Sequence, residues 1–157
     1  MKRIMFVCHG NICRSPMAEF ILRDMSEREG IQLVIASSAT STEEIWNGIG
    51  NPVYPPAEEE LKRHGICCKG KRAVQLQRED STEYDLFIGM DSANIRNMHR
   101  ILGEASKDKI RKLMDYTDRG GDVADPWYSG RFDIAYRDIY DGCTGLLAFL
   151  KKEGENK

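Results

Sequence analysis

Five cysteines, at positions 8, 13, 67, 68 and 143, are the candidate nucleophiles of this 157-residue chain. Only Cys8 has an arginine six positions later, in the run Cys8-His9-Gly10-Asn11-Ile12-Cys13-Arg14-Ser15. A thiolate attacks; a free thiol is mostly protonated at neutral pH. At a helix N-terminus beside a guanidinium, the pKa of a thiol can fall to roughly 3.5–7.5. Arg14 also supplies a planar fork able to grip two phosphate oxygens. Gly10 lets the backbone approach a ligand closely, and Asn11 tolerates the left-handed conformation that a tight cradle needs. The unpaired N–H groups and dipole of a helix starting after the loop favour an anion. The run therefore reads as a cradle for phosphate or sulfate that also ionises its own attacking sulfur, and this chemistry requires no metal or other cofactor. His9 lies inside the cradle, but a thiolate stabilised by Arg14 needs no base. Cys13 has two readings: simple packing, or a reversible disulfide with Cys8 that shields a reactive thiolate from over-oxidation.

An isolated Cys-x5-Arg pair arises by chance, so its setting decides its meaning. Residues 2–7 form a short apolar run suited to a buried strand. Ser15-Pro16 reads as a helix start, with Ser15 as N-cap and Pro16 at the first helical position. Ala18, Ile21, Leu22 and Met25 form one face of that helix, and Gly30 ends it. Residues 31–36 read as a second strand. Residues 37–55, rich in Ser, Thr, Asn, Gly and Pro, read as a long surface loop of a kind that is often functional. A short helix is expected over 56–64 and a third strand over 84–90. Asp91 is expected to cap a helix running to Ile101. A weaker fourth strand is expected over 109–114, then a Gly- and Asp-rich loop over 115–131. Ile139, Cys143, Leu146, Leu147 and Leu150 form the apolar stripe of a final helix, with a polar, frayed end from Lys151. Strands alternating with helices imply a single α/β domain over 1–157, with a parallel sheet covered on both faces. In such sheets the loop after the first strand is where ligands bind.

The totals narrow the function classes. A net charge of -2 and a sequence pI of about 6.0 imply no bulk attraction to nucleic acid or membrane. No stretch approaches the roughly 20 apolar residues of a membrane span, and the N-terminal apolar run is too short for a signal peptide. An odd, irregularly spaced set of cysteines does not read as a disulfide framework and favours a reducing cytoplasm. Cys8, His9 and Cys13 lack structural-zinc spacing.

The run from Cys8 through Arg14 to Ser15-Pro16 closely resembles the signature of the low-molecular-weight protein tyrosine phosphatases. Further motifs are similar to that family's in order. These are His64-Gly65-Ile66, Gly89-Met90-Asp91-x2-Asn94, Ala124-Asp125-Pro126-Trp127-Tyr128, Phe132-x3-Tyr136 and Gly145-Leu146-Leu147. The resemblance spans about residues 3–150. It implies a four-stranded parallel sheet in the order 2-1-3-4 and a phosphotyrosine protein or aryl phosphate as substrate. It implies that Cys8 becomes a cysteinyl-phosphate and that Arg14 and the loop amides hold the phosphoryl oxygens. Ser15 would donate to the Cys8 sulfur, and Asp125 would act as general acid and then base. Trp46, Trp127 and Tyr128 are expected to wall a slot for a phenyl ring. The chain is expected to be a monomer or weak dimer.

Several positions depart from the family pattern. Trp127 stands where a first tyrosine often follows Asp-Pro. The second strand ends Ala36-Ser37-Ser38-Ala39, leaving Ser37 to hydrogen-bond Asn11. Gly70 aligns with a loop-supporting histidine of some relatives, and Trp46-Asn47-Gly48-Ile49 reads as an insertion. Three alternatives stay open: an arsenate reductase, which needs a further cysteine relay; a protein-arginine phosphatase, in which threonine typically replaces Ile12; and a non-catalytic phosphate-binding module. The bulk of Ile12 favours an aromatic leaving group.

Overall fold

The computed structural model describes residues 1–155. Strand β1 (Lys2–Cys8) is the centre of the molecule, pairing in parallel with β2 (Leu33–Ala39) on one side and β5 (Leu86–Gly89) on the other. Strand β6 (Ile110–Lys112) extends the sheet, giving the all-parallel order β2-β1-β5-β6. This is the expected 2-1-3-4 arrangement, because two short strands, β3 (Ile45–Trp46) and β4 (Ile49–Gly50), fall between β2 and β5 in sequence and form a separate antiparallel hairpin.

Alternation along β1 explains the layers. Ile4, Phe6 and Cys8 face a core shared with α1 (Arg14–Arg28), α2 (Pro55–Arg63) and α5 (Phe132–Glu155). Met5 and Val7 face a second core with Met98 and Leu102 of α3 (Ser92–Leu102). Ile4, Phe6 and Val7 are fully buried, each contributing about 1.5–3 kcal/mol from burial. The stripe expected on the last helix is buried throughout, from Ile139 to Leu150. Gly145 lets α5 approach the turn over residues 113–116, because a Cβ there would stand 1.9 Å from the Tyr116 carbonyl oxygen.

Four expectations need correction. The segment 37–55 is not all loop: β2 runs on to Ala39, and the β3–β4 hairpin turns through Asn47 (φ 51°) and Gly48 (φ 77°). Both positive φ values suit the two-residue turn that closes a right-twisted hairpin. The first helix begins at Arg14 with Cys13 at the N-cap, and no side chain caps it. Ser15 is already helical, and its hydroxyl turns to the Cys8 sulfur instead. The one-turn helix α4 (Pro126–Ser129) interrupts the glycine-rich loop, capped by the Asp125 side chain accepting from Trp127 N–H at 3.0 Å. The last helix continues through Lys151 to Glu155, beyond the expected frayed end. Residues 156–157 of the expected domain lie outside the described residues. Among the described residues, no helix is long and apolar enough to cross a membrane.

Candidate active site

The chain leaves β1 at Cys8 and enters α1 at Arg14, so the five residues between must wrap tightly around the sulfur. Asn11 makes this possible by adopting φ 60°, in the left-handed region. The N–H groups of Asn11 and Ser15 point at Cys8 Sγ from 3.3 and 3.4 Å, and Ser15 Oγ lies 2.9 Å from it. Among the described residues, no protein acceptor takes the N–H of Gly10, Ile12 or Cys13. These donors, at the mouth of a helix N-terminus, form an anion cradle. The loop is braced from outside by Thr40 N–H on the Cys8 carbonyl (3.0 Å) and Tyr54 N–H on the Ile12 carbonyl (2.9 Å).

Arg14 is buried and held from behind. Its Nη1 donates to the Val123 carbonyl at 3.0 Å and its Nη2 to Asp91 Oδ2 at 2.8 Å. Burial works against the guanidinium charge, but Cys8, Asp91 and Asp125 outweigh it and raise the Arg14 pKa above its ordinary value. Burial likewise pushes Asp91 up, yet the Asn94 N–H and Arg14 more than offset it and hold its carboxyl below the usual range. Asp91 is itself fixed as the N-cap of α3, accepting from Asn94 N–H at 2.8 Å. Asp125 stands on the open side of Arg14, with Oδ2 3.7 Å from Nη2 and the carboxyl 38% exposed.

A cleft of about 380 Å³ opens over the cradle. Every expected loop residue except Ser15 lines it; Ser15 lies beneath, against the sulfur. Asp125, Trp127, Tyr128 and Ile12 are all among its lining residues. Tyr54 packs on Trp127 with ring centroids 5.0 Å apart. Trp46 is not among the lining residues; it sits on the β3–β4 hairpin, 79% exposed, opposite Ile49. Cys13 lines the cleft as a free thiol, its pKa pushed up to about 12 by burial first and by Cys8 and Asp125 next. His9 is exposed and pairs with Glu43 at 3.0 Å, both among the lining residues. Sequence reasoning missed Asp91 and Tyr54 as parts of the site. The Gly-Met-Asp-x2-Asn spacing carried the first; nothing local marked the second. Glu43 and Glu44, also unanticipated, line the rim.

A family model described as low molecular weight phosphotyrosine protein phosphatase matches residues 3–156. The chain belongs to that family. The low molecular weight protein-tyrosine-phosphatase YfkJ of Bacillus subtilis is 38% identical over 155 residues, 98% of each chain. Its crystal structure superposes with a TM-score of 0.91, covering 98% of this chain and 96% of that one at 37% identity. A Streptococcus pyogenes low molecular weight protein tyrosine phosphatase, SP-PTP, gives 0.85 at 35% identity, over 96% and 93% of the two chains. A structure described as YwlE arginine phosphatase, a cysteine-to-serine mutant with a phosphorylated active-site serine, gives 0.83 at 28% identity over 99% of each chain. The family is cysteine-based and metal-independent, and Cys8 lies in its phosphate-loop region.

Proposed function

We propose that this phosphatase hydrolyses phosphotyrosine in proteins in two steps at Cys8. The Cys8 thiolate attacks phosphorus in line with the bridging oxygen, the P–O bond breaks, and the departing phenolate takes a proton from Asp125. Water then attacks the cysteinyl-phosphate with Asp125 as base, the S–P bond breaks, and phosphate leaves with the thiolate restored. Arg14 and the loop N–H groups stabilise the equatorial oxygens in both steps. Ser15 donates to the sulfur, helping it leave as a thiolate. The observation that carries this reading is the 2.9 Å contact between Ser15 Oγ and Cys8 Sγ inside a cradle that also holds Arg14. A phosphate binder has no use for a sulfur so prepared.

Asp125 suits the acid's role because α4 fixes its backbone and the carboxyl faces the cleft. The phenyl ring would lie between the Trp127 side and Ile12. Trp46 could contribute only by moving, or by touching substrate residues beyond the ring. Cys67 and Cys68 are absent from the cleft lining, which argues against an arsenate-reducing relay. A protein working among reduced thiols fits five free cysteines.

The test is turnover of matched phosphotyrosine, phosphoserine and phosphoarginine substrates with a chelator present. A strong preference for phosphotyrosine is expected, and Ile12→Thr should narrow the gap to phosphoarginine. Comparable hydrolysis of phosphoarginine by the unaltered protein would overturn the substrate assignment.

A further inference from the structure

Asp125 sits on a segment with few ties to the rest of the molecule. Among the described residues, the hydrogen bonds of residues 125–131 all stay within 125–135. Beyond these, Trp127 packs on Tyr54 and Asp125 lies 3.7 Å from Arg14. Upstream, the loop turns through Gly120 (φ 60°) and Gly121 (φ 85°), the residue type with the most conformational freedom to lose on folding. The groups that hold this loop therefore decide where the acid stands.

Two backbone N–H groups tie the loop down just before Asp125. Val123 N–H donates to the carbonyl of Met90, just past β5, at 2.9 Å. Ala124 N–H donates to Asp138 Oδ2 at 3.1 Å. Asp138 belongs to α5 and is 9% exposed. Its other oxygen, Oδ1, lies 3.1 Å from Arg119 Nη2, which also donates to Asp141, one turn further along α5, at 2.8 Å. One buried carboxylate thus grips both limbs of the Gly120-Gly121 turn, Arg119 before it and Ala124 after it. Burying a carboxylate is costly unless it is paired, and neither chemical step touches this one. Its bond to the Ala124 N–H is charge-assisted, a kind roughly twice as strong as a neutral hydrogen bond, and is the last hydrogen bond to another element before the acid. We propose that Asp138 is a positioning residue for the general acid: by stapling Arg119 and the Ala124 N–H to α5, it fixes the backbone from which Asp125 reaches the leaving oxygen.

The inference rests on Asp125 being the general acid. Its test is kcat/KM for phenyl phosphate and for nitrophenyl phosphate, which reports the steps up to phosphoenzyme formation. Phenolate needs a proton to leave; nitrophenolate leaves without one. A misplacement of about 1 Å can cost up to about 10²-fold, so Asp138→Ala should lower kcat/KM roughly tenfold on phenyl phosphate and less than about threefold on nitrophenyl phosphate. A carboxylate that only stabilised the fold would move both esters alike. Asp138→Asn keeps an oxygen for the Ala124 N–H and should recover most of the loss. In an Asp125→Asn background, Asp138→Ala should add no further loss specific to phenyl phosphate. Thermal melting checks that each variant is folded. Arg119 is nearly half exposed, so Arg119→Met loosens the same staple without emptying a buried site and should show the same selectivity in smaller measure. Equal losses on the two esters, or none, in folded Asp138→Ala would overturn the proposal; should that variant not fold, the same result in Arg119→Met would do so. A selective loss that persists in full in the Asp125→Asn background would overturn it as well. Equal losses in Asp125→Asn itself would remove the acid assignment, and the inference with it.

Discussion

Asp91→Asn is the sharpest probe of how Arg14 is aimed. Asparagine keeps the side-chain oxygen that caps α3, so the helix start survives, but the negative charge opposite the guanidinium is lost. In the structure Arg14 has three anchors: the Val123 carbonyl at 3.0 Å, Asp91 at 2.8 Å and the more distant Asp125 at 3.7 Å. The Arg14 side chain is 6% exposed and that of Asp91 21%, so the pair is mostly desolvated. Removing one partner of a fully buried pair costs about 3–5 kcal/mol. Two anchors remain here and Asp91 touches solvent, so a loss nearer the roughly 1.5–3 kcal/mol of one charged hydrogen bond is expected. If that loss falls on the transition state, kcat/KM drops about 10- to 150-fold. Among the described residues Asp125 is the one remaining carboxylate paired with Nη2, so the freed guanidinium should turn toward it and lower the availability of the acid. The drop should therefore appear in kcat more than in KM. Steady-state hydrolysis of an aryl phosphate, alongside thermal melting, would check this. A kcat/KM within twofold of the unaltered enzyme, with melting unchanged, would refute the claim that Asp91 aims Arg14.

Further outcomes follow from the same geometry. Asp125→Asn should slow phosphotyrosine peptide cleavage by roughly 10²–10⁴-fold and phosphoenzyme formation from a nitrophenyl ester by less, because nitrophenolate leaves without a proton; equal losses in pre-steady-state bursts would make Asp125 structural. Mild peroxide should inactivate the enzyme reversibly if Cys8 and Cys13 pair, and in Cys13→Ser the same dose should become hard to reverse with thiol; equal recovery in both proteins would leave Cys13 as packing. Asp91 has a depressed carboxyl pKa in the folded state, so its contribution to stability is present above its unfolded value of about 3.9 and is lost as pH falls through the lower folded value. Melting temperature against pH in that acidic window should therefore fall less steeply in Asp91→Asn, and parallel curves would exclude Asp91 as a source of the acid sensitivity.

The phosphate loop was legible because its chemistry is local: a strand, a five-residue turn and a helix start are contiguous, and Cys8, Asn11 and Arg14 carry their roles in their spacing. The sheet was legible for a similar reason, since short apolar runs alternate with helical stripes. The hairpin over 45–50 was missed although Asn47-Gly48 is a turn signal, because its flanking strands are only two residues each and lack an apolar alternation to mark them. Ser15 misled as an N-cap because the preference for serine there reflects a free hydroxyl, and this one turns to Cys8. Lys71 and Glu19 could not be paired from sequence: 52 positions separate them, and only the parallel β1–β2 pairing and the return of the chain past β2 bring them together. Trp46 shows the converse, where residue type suggested a pocket wall but the tight Asn47-Gly48 turn places the indole in solvent.

The destination of the phosphoryl group decides whether Cys8 is the nucleophile. Asp125→Ala should slow hydrolysis of the intermediate more than its formation from nitrophenyl phosphate, whose leaving group needs no proton, so rapid quenching after mixing this variant with that substrate should trap phosphorylated protein. Peptide mapping by mass spectrometry should then find one phosphoryl group on the peptide containing Cys8, with its phosphorus resonance in the thiophosphate range, and none in a Cys8→Ala control, which has no side-chain acceptor at that position. Phosphate on another side chain, or unimpaired turnover by Cys8→Ser, would contradict that role for Cys8.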